Sequence, residues 1–216
     1  MSMGMDDDDV NAALIRMAAR ASHQLVLAGG AFLRQDPAAA RLVFNTDAEL
    51  NAVEARIDRA ALRAALSDMR QDWQDVATLL KVTDALERVG DHAVVLAAIT
   101  TSSFTQPGHP TDSQADVWLT AMLNRVGKTL GMAVHAFVRR DASVAQEVAL
   151  SDREVDRLNV RIQALLGPIT PGEPALAVAR LLAQSGDCAV SIAELTVLRA
   201  TGKLISLQPG DDPAGE

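Results

Sequence analysis

Apolar residues recur every three to four positions through almost the whole chain. That spacing lays one continuous stripe along an α-helix. Leu14, Met17, Ala18, Ala21, Leu25 and Ala28 form such a stripe in a first helix from about Val10 to Arg34. Gly29 and Gly30 interrupt it, at a cost of about 1 kcal/mol each against Ala. Asp36-Pro37 reads as an N-cap followed by proline at the first helical position, opening a second helix that runs to about Met69. A third helix starts near Asp72. Its Leu79, Val82, Leu86, Val89, Ala93 and Leu96 alternate steps of three and four, the seam of a packed bundle helix.

From Thr100 to Ser113 the text turns to Thr, Ser, Pro and Gly, the composition of a linker. The pattern then restarts. A fourth helix covers about Ala115 to Arg140, a fifth about Asp141 to Leu166, and a sixth about Pro174 to Ala200. Gly167, Pro168, Pro171, Gly172 and Pro174 mark the last turn, and Thr201-Gly202 ends the sixth helix, with Gly as its C-cap.

The two halves match each other. The segment from Asp36 to Asp47 lies on that from Asp141 to Asp152 with both aspartates in register. Leu86, Gly90, Asp91, Ala93, Val94 and Ala97 lie on Leu182, Gly186, Asp187, Ala189, Val190 and Ala193. The second match has a shorter offset, so the second half has lost residues near its last turn. The fold class this predicts is all-α: two tandem three-helix bundles related by pseudo-two-fold symmetry, over residues 10–100 and 114–204. Residues 1–9 and 206–216 form acidic, solvated ends.

Composition sharpens this picture. Hydrophobic residues make up 49% of the 216 positions and aromatic ones 3%, with no Tyr, so the core must be Ala, Leu and Val with some Met. Ala and Leu favour helices over sheets. Trp73 and Trp118 are expected as core anchors near helix starts. The net charge of −8 and the lack of a basic run exclude nucleic acid as a natural partner and disfavour anionic lipid. The single Cys188 forms no intrachain disulfide, which suits a reducing cytosol, and it is expected as a small buried residue. The N-terminus lacks the regions of a signal peptide, and no apolar run approaches the roughly 18 residues of a membrane helix. A cytoplasmic protein is expected, touching membranes only through partners.

Carboxylates are the candidate chemistry. Glu87 and Asp91 stand four apart on the third helix, one turn above each other and roughly 6 Å apart. Asp47 and Asn51 repeat that spacing on the second helix and Asp152 and Asp156 on the fifth, while Asp187 lies on the sixth. Facing helices would gather Asp47, Asn51, Glu87 and Asp91 into an oxygen-rich cluster suited to a hard cation. The plainer reading is a solvated acidic face with Arg88, Arg157 and Arg161 as counter-ions. Recurrence in both repeats favours a site. Gly90 and Gly186 each precede the matched aspartate, where a close helix crossing is the simplest reason for a mid-helix glycine. His92 is expected as a satisfied polar residue. Neither a zinc spacing of His and Cys nor a Glu-x-x-His pair, phosphate loop, nucleophile elbow or triad is present.

The stretch Asp84-Ala-Leu-Glu-Arg-Val-Gly-Asp-His-Ala-Val is similar to the signature of the PhoU family, which reads Leu-Glu-Arg-Ile-Gly-Asp-His-Ala in the third helix of each repeat. Gly186 to Glu194 and the ending Ala200-Thr-Gly-Lys203 also resemble it. The resemblance covers about residues 10–205 and implies a pair of three-helix bundles with metal ions held by E(D)xxxD motifs. It places ligands at Asp47, Glu87 and Asp91 in the first unit and Asp152, Asp156 and Asp187 in the second. Asn51 supplies a neutral oxygen. The ion would be divalent or trivalent: iron, zinc, manganese or magnesium. Ala183 and Gln184 depart from the motif's Glu and Arg, and Ser67-Asp-Met-Arg-Gln-Asp-Trp-Gln74 reduces another family stretch. The role implied is a non-enzymatic regulator of phosphate uptake. It would link the ATPase subunit of a phosphate ABC transporter to a phosphate-sensing histidine kinase, and act negatively when phosphate is plentiful. A homodimer is expected from the Ala-rich helix faces. The rival is a metal-storage or metal-dependent hydrolytic protein using the same carboxylates.

Overall fold

A computed structural model of the chain describes residues 7–67, 73–104, 113–166 and 173–207. These form six long helices: α1 (Asp7–Leu33), α2 (Pro37–Ser67), α3 (Trp73–Ser103), α4 (Gln114–Arg139), α5 (Ala145–Leu166) and α6 (Pro174–Thr201). A short 3-10 turn, Ala142–Val144, leads into α5. No strand occurs among the described residues.

The corners repeat between halves. Gln35 and Arg140, both left-handed at φ 51° and 55°, close α1 and α4. The next residue's N–H then reaches back: Asp36 to Ala31 O and Asp141 to Ala136 O, each at 2.9 Å. Such a closure satisfies carbonyls orphaned at a helix end. Asp36 Oδ1 accepts from the Ala38 and Ala39 amides, and Asp141 Oδ1 from the Ser143 amide, all at 3.0 Å. Both aspartates are therefore N-caps, as their sequence match predicts. The fifth helix differs from expectation in that Asp141 caps the 3-10 turn, and the α-helix starts only at Ala145. Ser113 opens α4 with a reciprocal capping box to Asp116.

Packing follows the duplication. α2 packs on α1 and α3, and α5 packs on α4 and α6. The halves join through α1 on α4 and α3 on α6, each helix meeting its own counterpart, as a pseudo-two-fold axis requires. Leu14, Met17, Ala21, Leu25, Ala28, Val82, Leu86, Val89, Ala93 and Leu96 have no exposure and share one core with α4 and α6. Leu79 is half-buried at its edge. Gly29 belongs to the α1–α4 join, where a Cβ would meet Leu123 at 2.7 Å. α5 has 22 residues against 31 in α2, the shortening that the unequal offsets implied.

Several expectations shift. α1 already begins at Asp7, inside the stretch expected as a solvated end. α3 extends to Ser103 and buries Thr100, so the helix consumes the start of the expected linker. Thr100 satisfies its hydroxyl on Leu96 O, which lets a polar residue continue the helix. Trp118 packs against the core, but Trp73 is 61% exposed in the first turn of α3 and anchors nothing. α6 is long and apolar enough to cross a membrane, with a mean hydropathy of 1.3, against the reading that no run approached that length. Burial of 61% of that window between α3, α4 and α5 accounts for its character. Residues 1–6, Met69, Asp72, the linker over 105–112, the turn over 167–172 and the end over 208–216 lie outside the described residues.

Candidate functional site

The α2 register carries Asp47, Asn51, Glu54 and Asp58 at steps of four, three and four, so all four share one face. α3 carries Asp84, Glu87 and Asp91 on the face toward them. Asp91, Glu54, Asp84 and Asp47 all act on Glu87 and raise its pKa, after the larger effect of burial. Burial likewise raises Glu54, with Asp58, Asp84 and Asp91 adding to it. Asp58 is raised by burial, although Thr83 Oγ1 donates to it at 3.3 Å. Asn51 Nδ2 donates to Asp47 Oδ2 at 3.3 Å. The structure thus brings Asp47, Asn51, Glu87 and Asp91 onto one ridge. Sequence reasoning missed Glu54, Asp58 and Asp84; the same spacing, continued two turns along α2 and back one along α3, would have found them. None of these carboxylates has an ion pair among the described residues.

The second ridge is smaller and more buried. Asp152 is 5% exposed, and its Oδ1 has no hydrogen-bond partner. Burial, then Asp156 and Asp187, push its pKa up to about 7. Burial raises Asp156 and Asp187 as well, and Asp156 adds to the rise of Asp187, against a smaller opposite pull from Arg88 of α3. The expected counter-ion Arg88 therefore serves the second unit from the first. Arg157 instead holds Glu154, and Arg161 has no ion pair among the described residues. Where the first unit has Glu54 and Asp58, the second has Asn159 and Gln163, and Ala183 stands for Glu87.

The glycines do what their positions imply. A Cβ on Gly90 would lie 2.3 Å from Leu50 Cδ2, so α2 and α3 cross closely there. Gly186 admits the Asp152 carboxylate in the same way. His92 crosses to α6, where its Nδ1 lies 2.9 Å from Ser185 Oγ; that hydroxyl gives its proton to Leu181 O, so the imidazole is the donor. Burial, then Arg88, lower its pKa. Cys188 is buried with its thiol pushed up to about 11, chiefly by burial.

A hard cation fits the first ridge by chemistry. Its donors are all oxygen, and a positive ion would relieve the repulsion among them. Among the described residues no three His, Cys, Asp or Glu side chains close on a common point. The second ridge offers three carboxylates against the six of the first, with the cation Arg88 acting on one of them, and fits an ion less well.

The PhoU domain model matches residues 14–100 and 119–196, one copy on each three-helix unit. A protein of Clostridium acetobutylicum is 26% identical over 94% of this chain and 95% of its own. One of Xylella fastidiosa is 28% identical over 91% and 85%. Both are named phosphate-specific transport system accessory protein PhoU homologs. The crystal structure of PhoU from Pseudomonas aeruginosa superimposes with a TM-score of 0.80 at 26% identity, over 91% of this chain and 97% of that one. The fold of the PhoU regulatory protein from Streptococcus pneumoniae also has a TM-score of 0.80, at 21% identity, over 93% and 98%. With both repeats matched and the doubled bundle shared, this chain belongs to the PhoU family.

Proposed function

We propose that the protein is a regulatory accessory of phosphate transport that works by binding partners rather than by catalysis. The observation that carries this is the match of both repeats to the PhoU domain, together with relatives named as accessory proteins of phosphate-specific transport. Those names favour regulation over the storage or hydrolytic alternative. The protein acts in the cytoplasm as a dimer. It joins the ATPase subunit of a phosphate ABC transporter to a phosphate-sensing histidine kinase and silences the response when phosphate is plentiful. Physically it is a rigid platform, because one core runs through all six helices and fixes the two ridges relative to each other.

Asp47, Glu87 and Asp91, with Asn51, hold a divalent or trivalent ion on the first ridge; Asp152, Asp156 and Asp187 form the weaker second set. The ion would supply positive charge to an otherwise acidic ridge. In the host cell, deleting the gene raises expression of phosphate-starvation genes in phosphate-rich medium, and restoring it reverses the effect. Unchanged expression and unchanged phosphate uptake would overturn the proposal.

A further inference from the structure

Besides the acidic ridge, the second unit departs from the internal symmetry in a strip of surface on α4 and α5. The register that pairs Asp36 with Asp141 and Gln35 with Arg140 also pairs Arg20 with Arg125, Glu49 with Glu154 and Ala52 with Arg157. In the first unit Arg20 of α1 is neutralised by Glu49 of α2 at 2.8 Å. In the second, Arg157 captures Glu154 on its own helix. Arg125 is left without an ion pair among the described residues, and so is Lys128 one turn further along α4. Two substitutions, Arg157 for the first unit's Ala52 and Lys128 for its His23, thus give this helix pair a cationic edge.

This edge borders an open groove of about 530 Å³ between α4 and α5. Met132 and the 58% exposed Leu150 supply apolar floor, Arg125 and Lys128 line one rim, and Glu147 and Ser151 the other. Two cations without an ion pair among the described residues thus stand beside an exposed apolar floor. They complement an amphipathic helix that presents leucine-like side chains along one face and carboxylates at its edge.

We infer that the α4–α5 groove docks an acidic amphipathic helix of a partner protein, and that Arg157 keeps the groove cationic by holding Glu154 away from Arg125. The inference rests on the reading of this chain as a partner-binding protein and names the surface used.

The test uses the full chain and a fluorescein-labelled synthetic helix with leucines on one face and glutamates at their margins. A scrambled peptide of identical composition has no leucine face. The first peptide binds and the scrambled one does not. Arg125→Glu/Lys128→Glu weakens binding about tenfold or more, with a reduced dependence on salt. Leu150→Ser weakens it without changing the salt dependence. Arg157→Ala, which leaves the groove lining intact but frees Glu154 for Arg125, weakens it severalfold; Arg20→Glu on the other unit does not. Circular dichroism confirms that each variant is folded. Equal binding of both peptides, or no loss in Arg125→Glu/Lys128→Glu, overturns the inference. Tighter binding after removal of residues 208–216 would assign the groove to the chain's own acidic end. Dissociation of a dimer by Arg125→Glu/Lys128→Glu would assign it to a second copy; either overturns the inference too. The same variants are then titrated with the kinase's cytoplasmic part and the transporter ATPase. If the peptide results hold and neither protein binds the unaltered chain, the accessory reading fails and the groove stands. If both bind the unaltered and Arg125→Glu/Lys128→Glu chains equally, the groove fails and that reading stands.

Discussion

The carboxylate of Asp152 rests on the backbone of Gly186: a Cβ built on that glycine would lie 2.0 Å from Oδ1. The contact joins α5 to α6 at the point where Leu50 and Gly90 join α2 to α3. One repeat fills the crossing with a hydrocarbon and the other with a buried acid. Gly186→Ala must push the carboxylate aside. Overpacking costs about 1–3 kcal/mol, partly offset by about 1 kcal/mol of helix propensity. The expected outcome in urea unfolding is a net loss for Gly186→Ala in the native background and a gain in an Asp152→Ala background. Equal effects in both backgrounds would show that the two positions are not coupled.

The same acid sets a pH dependence. With its pKa raised to about 7, Asp152 binds its proton more tightly folded than unfolded. Its contribution to folding is full below the ordinary carboxylate value near pH 4 and is lost as pH climbs through about 7. Glu54, Asp58, Glu87, Asp156 and Asp187 are raised too and act in the same direction. Metal-free protein should therefore have a urea midpoint that falls between about pH 4 and pH 8. Asp152→Asn keeps the shape but removes the charge. It should raise stability at pH 8 by about 1–3 kcal/mol and flatten the slope.

Cation binding should reverse that loss where the donors allow it. Manganese or magnesium added to metal-free protein at pH 8 raises the melting temperature, by about 2.7 kcal/mol of stability at a hundredfold excess over Kd. Glu87→Ala/Asp91→Ala removes most of this gain and lowers the metal found by elemental analysis. Asp152→Asn removes less, since the second ridge has three carboxylates where the first has six. Equal metal content in wild type and Glu87→Ala/Asp91→Ala would exclude the first ridge.

Much of this was legible in the chain because it depends on residues near one another in sequence. The seam from Val82 to Leu96, the caps Asp36 and Asp141, and the crossings at Gly90 and Gly186 all follow from local rules of period, capping and size. The extra acids Glu54, Asp58 and Asp84 were within reach of the same spacing argument. Other features depend on pairs that no local rule connects. Arg88 acts across the units on Asp187, and Gln74 of α3 donates to Leu198 O of α6 at 2.5 Å. Trp73 looked like an anchor by type, yet it sits where α3 has only begun to meet its neighbours.

Asp75 is the most consequential of these distant contacts. It begins α3 and accepts from Arg140 at the end of α4 and from Arg199 Nε of α6 at 3.0 Å. Arg199 also lies 4.6 Å over the Phe137 ring. Its side chain is 14% exposed, so removing Asp75 leaves a nearly buried guanidinium without its carboxylate. Asp75→Ala should cost about 1–3 kcal/mol in urea unfolding, and Arg199→Lys should cost as well, since an ammonium reproduces neither the fork nor the stacking. Asp75→Ala/Arg199→Met should recover part of the loss, because the apolar chain can still cover Phe137. No recovery would mean that Asp75 acts chiefly through Arg140.

The inner polar crossings test how the repeats diverged. Gln24 Nε2 of α1 donates to Thr46 Oγ1 of α2 at 3.1 Å, and at the matching place Thr129 of α4 meets Ser151 of α5 at 2.6 Å. Thr46 gives its own proton to Val43 O, and Thr129 gives its proton to Arg125 O, so Ser151 must be the donor in the second pair. The bond therefore runs from the first helix of the unit to the second in one repeat, and the opposite way in the other. Gln24 is 2% exposed and its Oε1 has no partner, so the first crossing is the less satisfied. Thr46→Val strips Gln24 of its remaining bond and should cost about 1–3 kcal/mol. Gln24→Leu/Thr46→Val replaces both groups with hydrocarbon of similar shape and should be near neutral or stabilising. Because Thr129 and Ser151 satisfy each other, Ser151→Ala should cost only about 0.5–1.5 kcal/mol. Urea midpoints of the three variants decide the matter: a double variant no better than Thr46→Val alone would show that Gln24 contributes by packing and not through its amide.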